Sequence, residues 1–335
     1  MYSPTSFVIQ IAPICIEVCG FNDNDSAYLN DLKRIFGQHE VGGDTKALHR
    51  VVVCASKQFE IPPEATLQWV STCIGVAGPK PRRRPFFIRR KEVPQYSGTG
   101  DVACYKEKTH NVDYYIPENA GWRIKHIAEE HVTYVYSDGQ NELSNGLPSM
   151  LIHVIGSQYG CYLLYASCIA VDGEALLFTG NSGVGKSTLC MELIRQGATY
   201  MGDDLVLVYM NGAKAMVGSL LFPVKCYADK MHTHKKTIDV ASQTSQRLPL
   251  NLPLKSMFFL QRSDTHKADP HLEPVDGETV FETMLKLTNK AHINADGGHF
   301  VDTLSSICCS VPCYSLFYGD CHKITPSFFA NNDRR

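Results

Sequence analysis

The amino-acid sequence predicts an α/β protein with two domains. Residues 1–147 form a smaller β-rich α+β domain in this prediction, and residues 148–335 form a domain with a mixed sheet. Three observations predict this division. A chain of 335 residues exceeds what one minimal core requires. The first part consists mainly of short strand patterns separated by turn residues, and the second part contains an apolar strand, a glycine-rich loop and a helix in succession.

The overall composition is that of an ordinary globular protein. Hydrophobic residues make up 44% of the chain and charged residues 20%, and the formal net charge is −2. This charge provides no general attraction to nucleic acid or to an anionic membrane. No apolar run approaches the ~18 residues of a membrane span, and the first residues lack the basic start of a secretory signal. We therefore expect a cytoplasmic protein with no membrane or nucleic-acid partner.

The sequence contains 13 cysteines, an odd number, and none forms a Cys-x-x-Cys pair. A zinc site usually has paired ligands at repeated close spacing. We expect buried free thiols instead, because most of the cysteines lie in apolar segments, where a thiol behaves as a small hydrophobic group. Examples are Cys54, Cys161, Cys168, Cys190 and Cys226.

The N-terminal part predicts one short helix among several strands. The helix covers Tyr28 to Phe36, and Pro62-Pro63 and the stretch from Gly78 to Pro85 interrupt regular structure. The expected strands are Phe7 to Val18, Arg50 to Ala55, Val102 to Lys106, Val112 to Ile116, Trp122 to His126 and Val132 to Tyr136. This pattern indicates a sheet that docks on the second domain or presents a partner.

A basic cluster surrounds an aromatic pair in the first domain. It comprises Lys80, Arg82, Arg83, Arg84, Arg89, Arg90 and Lys91 around Phe86 and Phe87. Such a segment can follow a nucleic-acid backbone, but a solvated loop with a buried aromatic pair also accounts for the pattern. A third interpretation, a docking surface for an acidic peptide, ranks between these two. The slightly acidic chain favours the solvated loop.

The second part predicts alternating strands and helices from Pro148 onward, with the domain boundary near Asn145 to Pro148. Its helices are Met150 to Gln158 and Ser187 to Gln196, the second ending at Gly197. Its strands are Cys161 to Val171, Glu174 to Thr179, Ala198 to Met201 and Leu205 to Met210. Asp172-Gly173 and Asn211-Gly212 are tight hairpin signals.

The loop before the second helix matches the phosphate-binding pattern G-x-x-x-x-G-K-[ST]. In such a loop, glycines allow backbone N–H groups to approach phosphate oxygens, and the helix N-terminus adds positive potential. Lys186 would reach the β- and γ-phosphates, and the Ser187 hydroxyl would bind Mg²⁺. The predicted nucleotide-binding residues are Gly180, Asn181, Ser182, Gly183, Val184, Gly185, Lys186, Ser187 and Thr188.

Two adjacent carboxylates, Asp203 and Asp204, follow the next short strand. Taken alone, the pair would be read as a solvated turn. After a phosphate loop, however, one acid can hold Mg²⁺ and the other can accept the proton of an attacking hydroxyl. We therefore predict that both acids belong to the nucleotide site.

These segments resemble the catalytic domain of HPr kinase/phosphorylase and its serine-kinase relatives. The resemblance rests on Gly180-Asn181-Ser182-Gly183-Val184-Gly185-Lys186-Ser187, Leu193-Ile194-Arg195-Gln196-Gly197 and Gly202-Asp203-Asp204. It covers about Leu164 to Tyr209, and extends more loosely through Ser256-Met257-Phe258-Phe259-Leu260 and the strand Val311 to Tyr318. It implies an HPr-kinase-like P-loop fold in the second domain.

The resemblance also implies a function. It assigns the β/γ-phosphates to Lys186, Mg²⁺ to Ser187 with support from Asp204, and the proton acceptor to Asp203. The implied reaction transfers the γ-phosphoryl group of ATP to a hydroxyl of a peptide, a protein or a small molecule. Tyr165 stands where relatives often have His, and a glycine-rich segment of true HPr kinase/phosphorylases has no counterpart. The protein HPr is therefore not the expected acceptor.

Several alternatives stay open at the level of sequence. The protein could hydrolyse the nucleotide without an acceptor, or bind it as a sensing scaffold without turnover. Lys225 could lie near a phosphate on the acceptor side, and Lys235, Lys236 or Arg247 could close over the transferring phosphoryl group. His232 and His234 form a His-x-His pair, which can bind metal but is more often part of a polar loop. The sequence does not decide the base preference or whether the protein forms a homo-oligomer.

Overall fold

The computed structural model describes most of the chain in two compact units. The described residues are 6–22, 25–42, 45–54, 58–74, 99–118, 120–137, 146–222, 224–227, 235–240, 248–263, 269–288 and 290–330. One unit comprises Met1–Gln10, Ile14–Tyr159 and Asn289–Ala295, and the other comprises Ile11–Pro13, Gly160–Thr288 and Asp296–Arg335. The basic cluster around Phe86 and Phe87 lies outside the described residues. The predicted domain boundary and the roles of the two domains stay predictions.

Eight strands of the described chain form the sheet of the first unit, in the order β1-β2-β3-β8-β7-β6-β5-β4. The strands are β1 (Ser6–Ile11), β2 (Ile14–Gly20), β3 (His49–Val53), β4 (Thr66–Ile74), β5 (Thr99–Glu107), β6 (Val112–Pro117), β7 (Trp122–Ile127) and β8 (Val132–Ser137). Two helices accompany them, α1 (Ser26–Phe36) and α2 (Leu147–Gln158). Alternating burial along β7 shows why the sequence pattern predicted a strand with one face in the core.

The prediction of one strand from Phe7 to Val18 is wrong. The segment forms two neighbouring strands, β1 and β2, separated by a turn at Ala12 and Pro13. Ala12 has a positive φ of 53°, a backbone conformation that ends an extended strand. Alternation of apolar residues continues across the turn, so the periodicity alone did not reveal it. The other strands and the helix predicted in this unit are confirmed, with ends shifted by a few residues.

Nine strands of the described chain form the main sheet of the second unit, with the path β12-β10-β11-β17-β14-β13-β9. β19 pairs with β17 and with β18, and β15 and β16 form a separate pair. The strands are β9 (Tyr162–Leu164), β10 (Ala166–Val171), β11 (Glu174–Thr179), β12 (Thr199–Gly202), β13 (Val206–Asn211), β14 (Lys214–Gly218), β15 (Val224–Tyr227), β16 (Lys235–Ile238), β17 (Asn251–Arg262), β18 (His271–Pro274) and β19 (Cys313–Tyr318). The helices are α3 (Lys186–Arg195), α4 (Gly277–Leu287), most of α5 (Lys290–Ser310) and α6 (Pro326–Ala330).

The sheet of the second unit is mixed, as the sequence predicts. β11, β17 and β19 run parallel, and β10 runs antiparallel to β11 through a two-residue turn at Asp172 and Gly173. The five residues after Glu174 in β11 are all buried, which fits a strand covered on both faces. This strand leads directly into the glycine-rich loop.

The prediction of one continuous strand from Cys161 to Val171 is wrong. The chain bends at Tyr165, which separates β9 from β10. β9 pairs with β13, whereas β10 pairs with β11 and β12. An uninterrupted run of apolar residues carries no sign of such a change of partner. The bend places the Tyr165 ring beside the glycine-rich loop.

The structure also bears on the expected buried cysteines and on membrane-spanning helices. Cys54, Cys161, Cys168 and Cys190 are buried, as predicted. The side chain of Cys226 lies outside the described residues. Within the described part of the chain, no helix combines the length and apolar character needed to cross a membrane.

Candidate active site

The glycine-rich loop spans residues 180–185 between the end of β11 and the start of α3. Gly180, Gly183 and Gly185 all have positive φ angles, of 141°, 83° and 109°. Residues with a Cβ atom rarely adopt these angles, so the glycines of the motif meet a backbone requirement of the loop. The loop turns the chain from the strand into the helix N-terminus, where backbone N–H groups lack partners within the helix.

The last strand of the sheet supports this loop from one side. The Tyr318 hydroxyl, at the end of β19, donates a hydrogen bond of 2.9 Å to the carbonyl oxygen of Val184. A Cβ atom added to Gly185 would lie 2.7 Å from the same hydroxyl. Gly185 is therefore required by the contact with Tyr318 as well as by its φ angle.

Lys186 is 95% buried at the start of α3, with an exposed fraction of 5%. Its ammonium donates hydrogen bonds to the carbonyl oxygens of Gly180, at 2.9 Å, and Asn181, at 3.2 Å. The ammonium also lies 4.1 Å from the centre of the Tyr165 ring, a distance typical of a cation–π contact. Burial lowers the pKa of Lys186 to about 8, although the nearby charges of Asp204 and Asp203 act in the opposite direction.

Asp203 lies at the end of β12 and has an exposed fraction of 5%. The Ser187 hydroxyl donates a hydrogen bond of 2.9 Å to its Oδ1 atom, and the Ser167 hydroxyl donates a short hydrogen bond to the same oxygen. Oδ2 is buried and has no hydrogen-bond partner among the described residues. The structure therefore joins the start of α3 to the acid pair that the sequence placed in the site.

The environment of Asp203 favours its neutral form more than water does. Burial, followed by the charge of Asp204, raises the pKa of Asp203 to about 6, against the hydrogen bonds from Ser167 and Ser187. A buried carboxylate oxygen without a partner is costly, and such an atom usually meets a cation, a water molecule or a ligand. The oxygen atoms of Ser187 and of the two neighbouring acids are hard donors of the kind that Mg²⁺ prefers, so the residues present fit this ion.

Asp204 follows in a left-handed conformation, with a φ angle of 63°. Its side chain is half-buried, and its charge acts on both Asp203 and Lys186. Left-handed φ angles are accessible to aspartate at a small cost, and such positions concentrate at functional sites. The assignment of proton acceptance to Asp203 and of metal support to Asp204 stays a prediction.

The other residues predicted to bind nucleotide lie on or directly after the loop. Asn181, Ser182 and Gly183 are exposed at its tip, and Val184 is half-buried and contacts the Gly180 position. Thr188 is exposed on the first turn of α3. None of these side chains approaches Asp203 through a described hydrogen bond, so their proposed contribution comes from the backbone.

The structure adds three side chains that the sequence analysis did not assign to the site: Tyr165, Ser167 and Tyr318. Ser167 lies on β10, which a two-residue turn joins to the strand that enters the loop, whereas Tyr318 lies on β19, far from the loop in sequence. The departure from His at Tyr165 was visible in the sequence, but its contact with Lys186 was not. The resemblance covered the segments that contain Ser167 and Tyr318, but it assigned neither residue to the site.

The side chains of the other charged residues and of the His-x-His pair considered in the sequence analysis lie outside the part of the chain that the structure describes. Arg247, His232 and His234 lie outside the described residues, as do the side chains of Lys225, Lys235 and Lys236. His271 and His299 are exposed, and His271 stacks on Phe317 rather than facing the loop.

Comparison with known proteins identifies the segment that carries the loop. Residues 162–226 match the family model described as HPr Serine kinase C-terminal domain. This segment is HPr-kinase-like. The resemblance drawn from the sequence is thereby confirmed for the segment that contains Lys186, Ser187 and both acids.

Two curated relatives illustrate the extent of the similarity. HPr kinase/phosphorylase from Limosilactobacillus reuteri (strain DSM 20016) is 39% identical over 56 residues, which cover 17% of this chain and 18% of the relative. HPr kinase/phosphorylase from Mycoplasmopsis pulmonis (strain UAB CTIP) is 31% identical over 93 residues, which cover 27% of this chain and 29% of the relative. The chain therefore spans less than a third of the length of either protein.

One solved structure is also similar. It is the structure of the Hpr(Ser) kinase/phosphatase from Coxiella burnetii, with a TM-score of 0.30 and 13% sequence identity. The match covers 47% of this chain and 85% of that chain. A TM-score of this size carries no inference about function.

Proposed function

We propose that the protein is an ATP- and Mg²⁺-dependent kinase that transfers the γ-phosphoryl group to a hydroxyl of a protein, a peptide or a small molecule. The observation that carries the proposal is the hydrogen bond between Ser187 and Asp203. This contact joins a serine of the phosphate loop to a buried carboxylate whose Oδ2 atom has no hydrogen-bond partner among the described residues. Magnesium–nucleotide chemistry uses such a pair of groups.

In the proposed complex, the loop and Lys186 bind the phosphates. Backbone N–H groups of residues 180–185 and of the start of α3 would donate to phosphate oxygens. Lys186 would leave the carbonyl oxygens of Gly180 and Asn181 and pair with the β- and γ-phosphates. Its burial strengthens this interaction, because a cation in a poorly solvated position attracts an anion more strongly than one in water.

Ser187 and Asp204 are the residues that would hold Mg²⁺. A bound Mg²⁺ ion would neutralise charge on the triphosphate. Asp203 lies beside both groups, and it is the best placed proton acceptor because its Oδ2 atom has no partner among the described residues.

In the proposed reaction, the Oδ2 atom of Asp203 receives a proton from the acceptor hydroxyl. The acceptor oxygen forms a bond to the γ-phosphorus while the bond from the γ-phosphorus to the bridging oxygen breaks, and ADP leaves with the bonding electrons. Asp203 accepts the hydroxyl proton at Oδ2. Burial raises the pKa of Asp203 to about 6, and a carboxylate with a raised pKa is a better proton acceptor than an exposed aspartate.

For the phosphoryl acceptor, we propose only its chemical class. The names of the relatives refer to the protein HPr, whereas this chain covers 18% and 29% of the two described above. We propose a seryl or threonyl group of a protein or peptide as the first class, with small hydroxyl compounds as the second. The domain over residues 1–147 is proposed to present the acceptor.

The decisive experiment follows labelled phosphate. The protein is incubated with Mg²⁺ and ATP labelled in the γ-phosphate, together with HPr, mixed seryl and threonyl peptides, or small alcohols. We expect label in an acceptor, and loss of that label in Asp203→Asn. The matched control is Asp172→Asn, which changes an exposed acid at the opposite end of β11 and should leave transfer unchanged.

The outcomes separate the candidate functions. Label found only in inorganic phosphate would replace the kinase proposal with nucleotide hydrolysis. Tight nucleotide binding without any release of label would replace it with a sensing scaffold. Repeating the assay with GTP measures the base preference.

A further inference from the structure

Ser167 occupies a fully buried position in the middle of the second unit, with no exposed surface. It lies on β10, opposite Phe178 of β11, and the next residue of β10 pairs with Gly202. Because Asp203 follows Gly202, this register sets the Ser167 hydroxyl against the Asp203 carboxylate, where it donates to Oδ1.

The same oxygen of Asp203 receives a second hydrogen bond from Ser187. The terminal torsion of an aspartate side chain is broad and roughly two-fold, so an unrestrained carboxylate can exchange its two oxygens. Two hydroxyl donors on Oδ1 remove this freedom. They leave Oδ2 as the oxygen without a described partner.

A serine hydroxyl has a single proton to donate. In the structure, the Ser167 hydroxyl donates it to Oδ1 of Asp203.

We propose that Ser167 is a positioning residue that fixes the Asp203 carboxylate, so that Oδ2, which has no hydrogen-bond partner among the described residues, is left for the reacting groups. Ser187 cannot serve this purpose alone, because its hydroxyl is also the proposed ligand of Mg²⁺. Ser167 has no such second role. This inference rests on the proposed phosphoryl transfer, and it adds a residue that neither the sequence motif nor the resemblance assigns.

The test compares kcat and KM in Ser167→Ala and in the parent protein. We expect kcat to fall by about 10- to 100-fold, the range given by loss of a hydrogen bond to a charged group, while KM for ATP changes by less than about threefold. The matched control is Ser219→Ala, which removes a buried hydroxyl that donates to the Pro249 carbonyl instead. It should retain the parent kcat.

A double-mutant cycle separates positioning from a general structural effect. On an Asp203→Asn background, Ser167→Ala should lower the residual turnover by less than about twofold, because the residue acts only through Asp203. An equal loss on both backgrounds would overturn the proposal. Ser167→Cys is the second variant should the alanine protein not fold, and a parent-like kcat in that variant would overturn it as well.

The result also distinguishes this inference from the proposed function. A parent protein that neither transfers nor hydrolyses the γ-phosphate refutes the proposed function together with this inference. A parent protein with normal turnover that Ser167→Ala does not alter refutes the inference alone.

Discussion

At the scale of single residues, the site contains a cation and an acid that are both poorly solvated. Lys186 and Asp203 each have an exposed fraction of 5%, and burial shifts both pKa values toward the neutral forms. The cation is held by the carbonyl oxygens of Gly180 and Asn181 rather than by a carboxylate. A dianionic phosphate group would be a stronger partner than these carbonyl oxygens, which supports the proposed contact between Lys186 and a nucleotide.

The first residue-scale prediction concerns Lys186→Met. We expect turnover to fall at least about 100-fold, because the variant loses the charge that neutralises the transferring phosphoryl group. Label transfer measures the turnover, and calorimetric titration with Mg²⁺ and ATP measures the accompanying loss of affinity. Lys214→Met changes an exposed lysine and should match the parent. Parent-like turnover in Lys186→Met would exclude the proposed phosphate contact.

The second residue-scale prediction concerns Gly185→Ala. We expect a loss of about 1–3 kcal/mol in the free energy of unfolding, because alanine has to adopt a φ angle of 109° and its Cβ atom meets the Tyr318 hydroxyl. Urea denaturation measures the loss. Gly173→Ala is the matched control, since Gly173 has a φ angle of 79° but no atom within 4 Å of the added Cβ. Equal losses in the two variants would show that the Tyr318 contact does not matter.

At the scale of elements, the parallel strands β11, β17 and β19 position the loop. β11 carries the chain into the loop, and β19 ends at Tyr318, whose hydroxyl holds Val184. β11 is buried after Glu174, and the buried aromatic residues Phe178, Phe258 and Tyr318 of the three strands belong to one core cluster. The precision of the site therefore depends on the core beneath it.

The element-scale prediction concerns Phe178→Ala on β11. Phe178 has no exposed surface, stacks on Phe258 at 5.3 Å between ring centres and contacts the Phe329 ring edge at 5.5 Å. We expect a loss of about 3–5 kcal/mol in the free energy of unfolding, from lost burial and the cavity left behind. Phe21→Ala changes a phenylalanine that is 47% exposed and should cost less than about 1 kcal/mol. Denaturant titration of both variants checks this difference.

At the scale of the whole molecule, buried histidines in the first unit make stability depend on pH. His49 and His126 are buried, and their rings share the hydroxyl of Thr133, at 2.8 and 2.9 Å. One hydroxyl has a single proton, so it donates to one ring and accepts from the other. Burial lowers the pKa of His126 to about 4 and that of His49 to about 3, with the charge of neighbouring His126 adding to the effect on His49.

The resulting prediction is a loss of stability in mild acid. The unfolded chain binds protons at these histidines below about pH 6.5, whereas the folded chain does not until about pH 4. The free energy of unfolding should therefore fall from pH 6.5 toward pH 4, by at most about 1.4 kcal/mol per pH unit for each histidine. Urea denaturation at several pH values measures the slope. His126→Gln should reduce this slope by the contribution of about one proton, which is at most about 1.4 kcal/mol per pH unit. His299→Gln changes an exposed histidine and should leave the slope unchanged.

Much of the local structure and of the site was predictable from the sequence. Glu174 to Thr179 forms the predicted strand, the following helix begins within one residue of its predicted start, and Gly197 ends it in a left-handed conformation with a φ angle of 105°. These features depend on local chemistry, on glycine at positive φ angles and on apolar periodicity. The phosphate-binding motif around Lys186 and the pair of adjacent acids could also be predicted, because each is a short run of neighbouring residues.

The strand breaks at Ala12 and Tyr165 were not predictable, because the apolar pattern continues through both. The sequence by itself determined the glycine-rich loop, the helix that follows it and the pair of acids. Only the tertiary structure decided that Ser167 and Ser187 meet on one oxygen of Asp203 and that Tyr318 supports the loop. These contacts depend on the pairing of β10 with β12 and of β17 with β19, and the sequence pattern of a single strand does not identify its partner in the sheet.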